Sequence, residues 1–189
     1  MAAALCAAVV LAGCGSTPQP APVTPPAPAP PTSSTATAPP ASAAPSMGTA
    51  LVVYLTAFAW QDNDPPGSGT VGSPVLHKTA AGQGTYSDPI TVAVPGEQNA
   101  MSYPPGTRFY LPTIRRYVIV EDSGAPPGPA GTSTHLDVWI DGHDAPTVAA
   151  VEQCEDAITG TVKAYLNPPP DLDVIASPIY ANGACRVPG

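Results

Sequence analysis

Hydrophobic and polar positions fall along this chain in three textures. Ala2–Ala12 is an unbroken apolar run. Residues 15–46 are mainly Pro, Ala, Thr and Ser, with Val23 as the one large apolar residue. From Leu51 onward, short runs rich in Val, Ile, Tyr or Trp alternate with clusters of Gly, Pro, Asn and Asp, the texture of strands divided by turns. It predicts strands at Leu51–Phe58, Ile90–Val94, Thr107–Leu111, Tyr117–Glu121, His135–Ile140 and Thr161–Leu166, with a last extended run at Asp173–Ile179. A long loop follows the first strand, with turn signals at Asn63–Gly67 and Ala81–Gly84. Helical spacing occurs at Val148, Val151, Cys154 and Ile158, with Asp144 as cap, Pro146 in the first turn and Gly160 as the stop. Many short strands with one helix imply an all-β fold, a small six-stranded barrel.

The textures divide the chain into residues 1–13, 14–47 and 48–189. The apolar run is about half the length that spans a bilayer and has the form of a signal-peptide core. It ends in Leu11-Ala12-Gly13-Cys14, which resembles the lipobox of bacterial lipoproteins. That resemblance implies a lipid on Cys14, a membrane anchor and an extracytoplasmic location; Cys6 would be removed with the signal. No basic residue precedes the run, as expected if translation starts upstream of Met1. The Pro-rich segment cannot bury enough surface to fold, and its prolines favour an extended path. At ~3.1 Å per residue it would reach up to ~100 Å, far enough to enter a cell-wall layer. An O-glycosylated spacer without a length requirement is the alternative.

Every formal charge lies in residues 48–189, and the net charge is −8. The basic residues are Lys78, Arg108, Arg115, Arg116, Lys163 and Arg186. Tracking phosphates needs clustered Lys and Arg, so nucleic acid is not an expected partner. Nor is there a polybasic segment for an anionic bilayer, which leaves covalent attachment. A monomer is the expected state. Cys154 and Cys185 are the cysteines remaining after the signal, and in an oxidising compartment they are expected to pair as a disulfide. No CxxC or CxxH spacing accompanies them, so no metal site is expected. No cofactor motif, phosphate-cradling loop or Ser-His-Asp order stands out.

Three segments carry a family resemblance. Pro105-Gly106-Thr107-Arg108-Phe109-Tyr110-Leu111-Pro112 is similar to the "GT-x-hydrophobic-Y-hydrophobic-P" strand of the 3D domains, double-psi β-barrels named for three aspartates. Tyr117–Gly124 resembles their next strand, which ends in "EDTG", and His135-Leu136-Asp137-Val138-Trp139 resembles their "xIDVa" strand, where a is aromatic. Order and spacing agree over roughly Leu51 to Leu166. The wider group includes MltA-type lytic transglycosylases and the RlpA-like and expansin-like barrels. Two family aspartates correspond to Asp122 and Asp137. The third is absent from Val92-Ala93-Val94-Pro95, and Ala125-Pro126-Pro127-Gly128-Pro129 replaces the usual glycine-rich stretch after the first motif.

The resemblance implies an envelope domain that binds cell-wall polysaccharide, peptidoglycan foremost, without cleaving it. The alternative it implies is a lytic transglycosylase with Asp137 as acid and base. A carboxyl there would protonate the glycosidic oxygen and then take a proton from the sugar's own hydroxyl, and it needs a raised pKa. Asp122 could supply that by like-charge repulsion, and Asp62, Asp64 and Glu121 are candidate second carboxylates. A non-enzymatic surface protein or partner-binding module is the third class; there Asp137 would merely accept backbone N–H bonds. His135 has the same strand parity as Asp137, so it either joins that cleft or faces solvent, the latter being the expectation. Trp60 and Tyr86, in or beside Gly/Pro/Asp-rich loops, are expected to be exposed and to stack on sugar rings. Arg115 and Arg116 either meet peptide carboxylates or form a solvated turn.

Overall fold

The structure, a computed structural model, describes residues 46–188. Cys14, the signal segment and nearly all of the tether lie outside the described residues. The domain consists of β1 (Thr49–Phe58), β2 (Ile90–Pro95), β3 (Arg108–Leu111), β4 (Arg116–Ala125), β5 (His135–Trp139), α1 (Val148–Ile158), β6 (Gly160–Leu166), β7 (Tyr180–Ala181) and β8 (Ala184–Cys185). The first six strands close into a barrel in the order β1-β5-β2-β4-β3-β6. Pairs β1/β5 and β2/β4 are parallel, and the other neighbours are antiparallel. The expected six-stranded barrel with one short helix is thus the fold the chain adopts.

Side chains alternating inward along the strands fill the barrel. Val53 and Leu55, Val92 and Val94, Phe109 and Leu111, Val118 and Val120, and Leu136 and Val138 are all fully buried. Strand β4 is buried on both faces over Arg116–Glu121. Its inner residues meet the core, while the long segment 59–89 covers the outside, with Ser73 N–H donating to Glu121 O and Tyr117 N–H to Gly84 O. Gly84 permits that crossing. Its φ is +73°, and a Cβ there would stand 2.0 Å from the Arg116 side chain.

The helix starts later than expected. Thr147 is the N-cap, its hydroxyl accepting from Ala150 N–H. Asp144 stands in the preceding turn, where its carboxylate accepts from Asn182 N–H. Val151, Cys154 and Ile158 face the barrel, but Val148, in the first turn, is 55% exposed. Asp173–Ile179 is not a strand. The closed barrel offers no free edge to it, and scattered bonds hold it instead: Ile175 N–H to Arg115 O, the Tyr110 hydroxyl to Asp173 O, and Arg116 to Ser177. The tail turns at Asn182-Gly183, both with positive φ, and pairs β7 with β8. Cys154 and Cys185 form a disulfide, Cα–Cα 5.4 Å, that ties this hairpin to α1.

Candidate functional site

Four neighbouring strands bring one row of residues together. Thr56 on β1 pairs with Asp137 on β5, Asp137 with Ala93 on β2, and Ala93 with Asp122 on β4. Residues paired this way share a sheet face. Asp137 and Asp122 therefore flank one alanine, their backbones two strand spacings apart, roughly 10 Å. The β2/β4 register slips beside Ala93, and such bulges re-aim side chains at strand ends. The small methyl of Ala93 leaves a cleft of about 540 Å³ between the carboxyls, walled by Asp62 and Asp64 from the loop after β1 and by Gln98 and Glu97 after β2.

The two aspartates differ in what holds them. Asp122 Oδ1 accepts from Gly72 N–H at 3.0 Å and Ser123 N–H at 2.9 Å, so it anchors the covering segment as well as lining the cleft. Burial raises its pKa, those two N–H groups oppose the rise, and Asp64 adds to it. Among the described residues no backbone N–H reaches Asp137. Its Oδ1 accepts from the Thr56 hydroxyl at 2.5 Å. Burial raises the Asp137 pKa; the Thr56 bond and His135 pull the other way, and Asp62 and Asp122 push it further up. The balance favours the neutral acid relative to an exposed aspartate.

His135 does not face solvent. It is 3% exposed, packed against the Tyr54 ring at 5.0 Å, with Nδ1 2.7 Å from Pro126 O and Nε2 2.6 Å from Thr56 Oγ1. The parity that placed it beside Asp137 holds, and the Pro126 segment covers it. Glu121 is no second carboxylate of the cleft. It is fully buried under the covering segment, where Val75, Leu76 and His77 N–H donate to one oxygen while Thr91 Oγ1 and His77 Nδ1 bond the other. His77 Nε2 in turn meets Asp88 at 2.9 Å, so its ring is consumed by this clasp.

Trp60 is half-buried. It lines a second, mainly apolar cavity of about 530 Å³ with Trp139, Ala80, Ile140, Pro178 and Asp141. The His143 ring meets its indole edge-on at 4.8 Å. Thr70 lines both this cavity and the acid cleft, so the two lie on either side of the covering segment. Tyr86 lies elsewhere and is also half-buried, between Tyr117 and the guanidinium of Arg108. Arg115 pairs with Asp173 at 2.5 Å. Arg116 is fully buried, which removes it as a surface contact for peptide stems. Its guanidinium donates to Ile114 O, Arg115 O, Ser177 O, Ser177 Oγ and Arg186 O, and burial first, then Arg115, brings its pKa down to about 10.

Two residues near Asp137 were missed from sequence. Thr56 becomes visible only through the β1/β5 register. Glu155 stands on α1 at the border of the buried Val151–Ile158 face. Burial, then Asp62 and Asp137, raise its pKa to about 7. An acidic residue bordering an apolar helix stripe was the available signal. No group suited to hold a metal occurs among the described residues.

Comparison with known proteins places this chain in a family. A Dictyostelium discoideum protein, the uncharacterized DDB_G0273701/DDB_G0273221, is 31% identical over 134 residues, which cover 68% of this chain and 56% of that protein. The chain thus spans about half the length of that relative. No solved structure gives a significant match. The family model described as the DDB_G0273701 N-terminal domain matches residues 50–186, the whole barrel with its disulfide-tied tail. The chain belongs to the DDB_G0273701 N-terminal domain family.

Proposed function

We propose that this domain is a double-psi barrel of the 3D-domain and RlpA-like kind, and that it cleaves a glycan of the cell envelope with Asp137 as the acid and base. The observation that carries this reading is the state of the Asp137 carboxyl. It is desolvated, faced by Asp62 and Asp122, held through one oxygen by a hydroxyl, and opens onto the cleft without a backbone donor. A merely structural aspartate at a strand end would be saturated by N–H groups, which favour its ionised form. In a lytic reaction Asp137 takes the proton of the sugar hydroxyl that closes the anhydro ring and gives one to the glycosidic oxygen that leaves. Peptidoglycan is the first substrate to test, in keeping with the lipobox-like Cys14 and the Pro-rich segment that would hold the barrel at a membrane within reach of the wall.

A second reading, binding without cleavage, is favoured by the tryptophan-lined cavity. Indole faces suit the CH-rich faces of sugar rings, and Asp141 offers a hydroxyl acceptor beside them. The experiment is digestion of purified sacculi by the full chain and by Asp137→Asn, read by mass spectrometry and co-sedimentation. Anhydro-muropeptides released by the parent alone support the lytic reading. Sedimentation without release by either supports the binding reading, and neither signal rejects peptidoglycan as the substrate.

A further inference from the structure

Behind Asp137, two side chains and one carbonyl form a line whose hydrogens can be counted. Pro126 O is only an acceptor, so His135 Nδ1, 2.7 Å from it, carries a proton. The Thr56 hydroxyl has one proton and two short contacts, Nε2 of His135 at 2.6 Å and Oδ1 of Asp137 at 2.5 Å. With a neutral imidazole and an ionised carboxylate, that single proton could serve only one of two facing acceptors. Both contacts are made once one further proton enters the line. It sits on Oδ1, with Thr56 donating to Nε2, or it sits on Nε2, with Thr56 donating to Oδ1. Reversing the Thr56 hydroxyl converts one arrangement into the other. The strands fix the geometry, since His135 and Asp137 are two apart on β5 and Thr56 is the register partner of Asp137. Burial of His135 behind Tyr54 keeps water from competing for Nε2.

We propose that Thr56 and His135 are a proton relay behind Asp137, holding one shared proton that moves between the carboxyl and the imidazole through the Thr56 hydroxyl. This rests on Asp137 as the working acid and base, and gives it a second route for charge. When an attacking hydroxyl loses its proton to Oδ2, the Oδ1 proton passes to Thr56 Oγ1 and the Thr56 proton to Nε2. Asp137 then carries its proton on the cleft-facing oxygen and His135 is an imidazolium. Oδ2 delivers that proton to the leaving-group oxygen. The proton on Nε2 returns through Thr56 to Oδ1. The net transfer is one proton from the attacking to the leaving oxygen, with the protein unchanged. Thr56 and His135 touch no substrate and are positioning residues. The charged groups facing Asp137 are Asp62 beyond β1, Asp122 on β4 and Glu155 on α1, all acidic. They favour keeping the shared proton within the line.

The test reads the protons without requiring turnover. In the full chain, the ring 15N resonances of His135 and the 13C carboxyl resonance of Asp137 are followed with pH, beside Thr56→Val, Thr56→Ser and Asp137→Asn. The relay predicts that in the parent and in Thr56→Ser the two residues shift together in one coupled step. In Thr56→Val they separate, and in Asp137→Asn the Nε2 signal stays that of a neutral ring where the parent changes. A His135 spectrum unaltered by Thr56→Val or by Asp137→Asn would overturn the relay; if Thr56→Val does not fold, Asp137→Asn alone decides. On sacculi, Thr56→Val should lower release about tenfold or more with sedimentation unchanged, and Thr56→Ser should restore it. Release that depends on Asp137 without coupling rejects the relay and leaves the proposed function standing. Coupling without release retains the relay and rejects the substrate.

Discussion

Removing the Glu121 carboxylate should undo the covering segment more than any other single truncation there. Glu121 is fully buried on β4 and accepts from Val75, Leu76 and His77 N–H at 3.2, 2.7 and 2.9 Å, from Thr91 Oγ1 at 2.7 Å, and meets the His77 ring at 2.7 Å. In Glu121→Ala the three amides can be rehydrated in part, because Val75 and Leu76 are 47% and 49% exposed. Thr91 is wholly enclosed, and leaving its hydroxyl without this acceptor costs about 1–3 kcal/mol. The charged contact to His77 contributes about 1.5–3 kcal/mol. Together the loss is about 2.5–6 kcal/mol, a large part of the 5–15 kcal/mol typical of a domain. Urea denaturation measures it, and hydrogen exchange should show amides 75–77 losing protection first. A loss below about 1 kcal/mol would mean that water replaces the carboxylate and that the clasp does not hold the segment.

Other outcomes follow from the same contacts. Glu121 is held below its ordinary value because the His77 and Leu76 amides, the His77 ring and Thr91 outweigh the effect of burial; its stabilisation is present above 4.5 and is lost as pH falls through the depressed folded value. His77 is raised, burial being outweighed by Asp88 and Glu121, so its share is present below 6.5 and is lost as pH rises through the raised value; melts of His77→Gln should lose that alkaline limb. Arg116→Ala removes five hydrogen bonds that tie β4 to the Ile114–Arg115 turn and to Ser177 and Arg186 of the tail, and should cost about 3 kcal/mol or more by denaturant midpoint, with Arg116→Lys recovering little because an ammonium lacks the guanidinium fork. Reducing Cys154–Cys185, 31 residues apart, should lower stability by roughly 3–4 kcal/mol, read by comparing melts with and without reductant.

Strand positions were legible because β-branched runs and turn residues are local signals. All six barrel strands fall at their expected places, β4 extending further at both ends. The parallel β1/β5 and β2/β4 pairings are not local, and Thr56 beside Asp137 exists only through them. Parity did relate His135 to Asp137, but its burial depends on Pro126 and Tyr54, which sequence cannot bring to it. Arg115 and Arg116 looked equivalent. One reaches Asp173 while the other turns under Gly84 into the tail, a divergence imposed by strand pleat and by the positive φ of Arg115. Glu121 and His77 read as separate polar residues; only the crossing of segment 59–89 over β4 joins them.

The most direct test of the account is the ionisation of Asp137 itself. The 13C carboxyl resonance of Asp137 in the full chain, assigned with Asp137→Asn, gives it without any assumption about substrate. The expected midpoint lies above the ordinary 3.8 and moves down in Asp62→Asn, which removes one facing charge. A midpoint at or below the ordinary value would mark a stabilised carboxylate and contradict its role as the acid of the cleft.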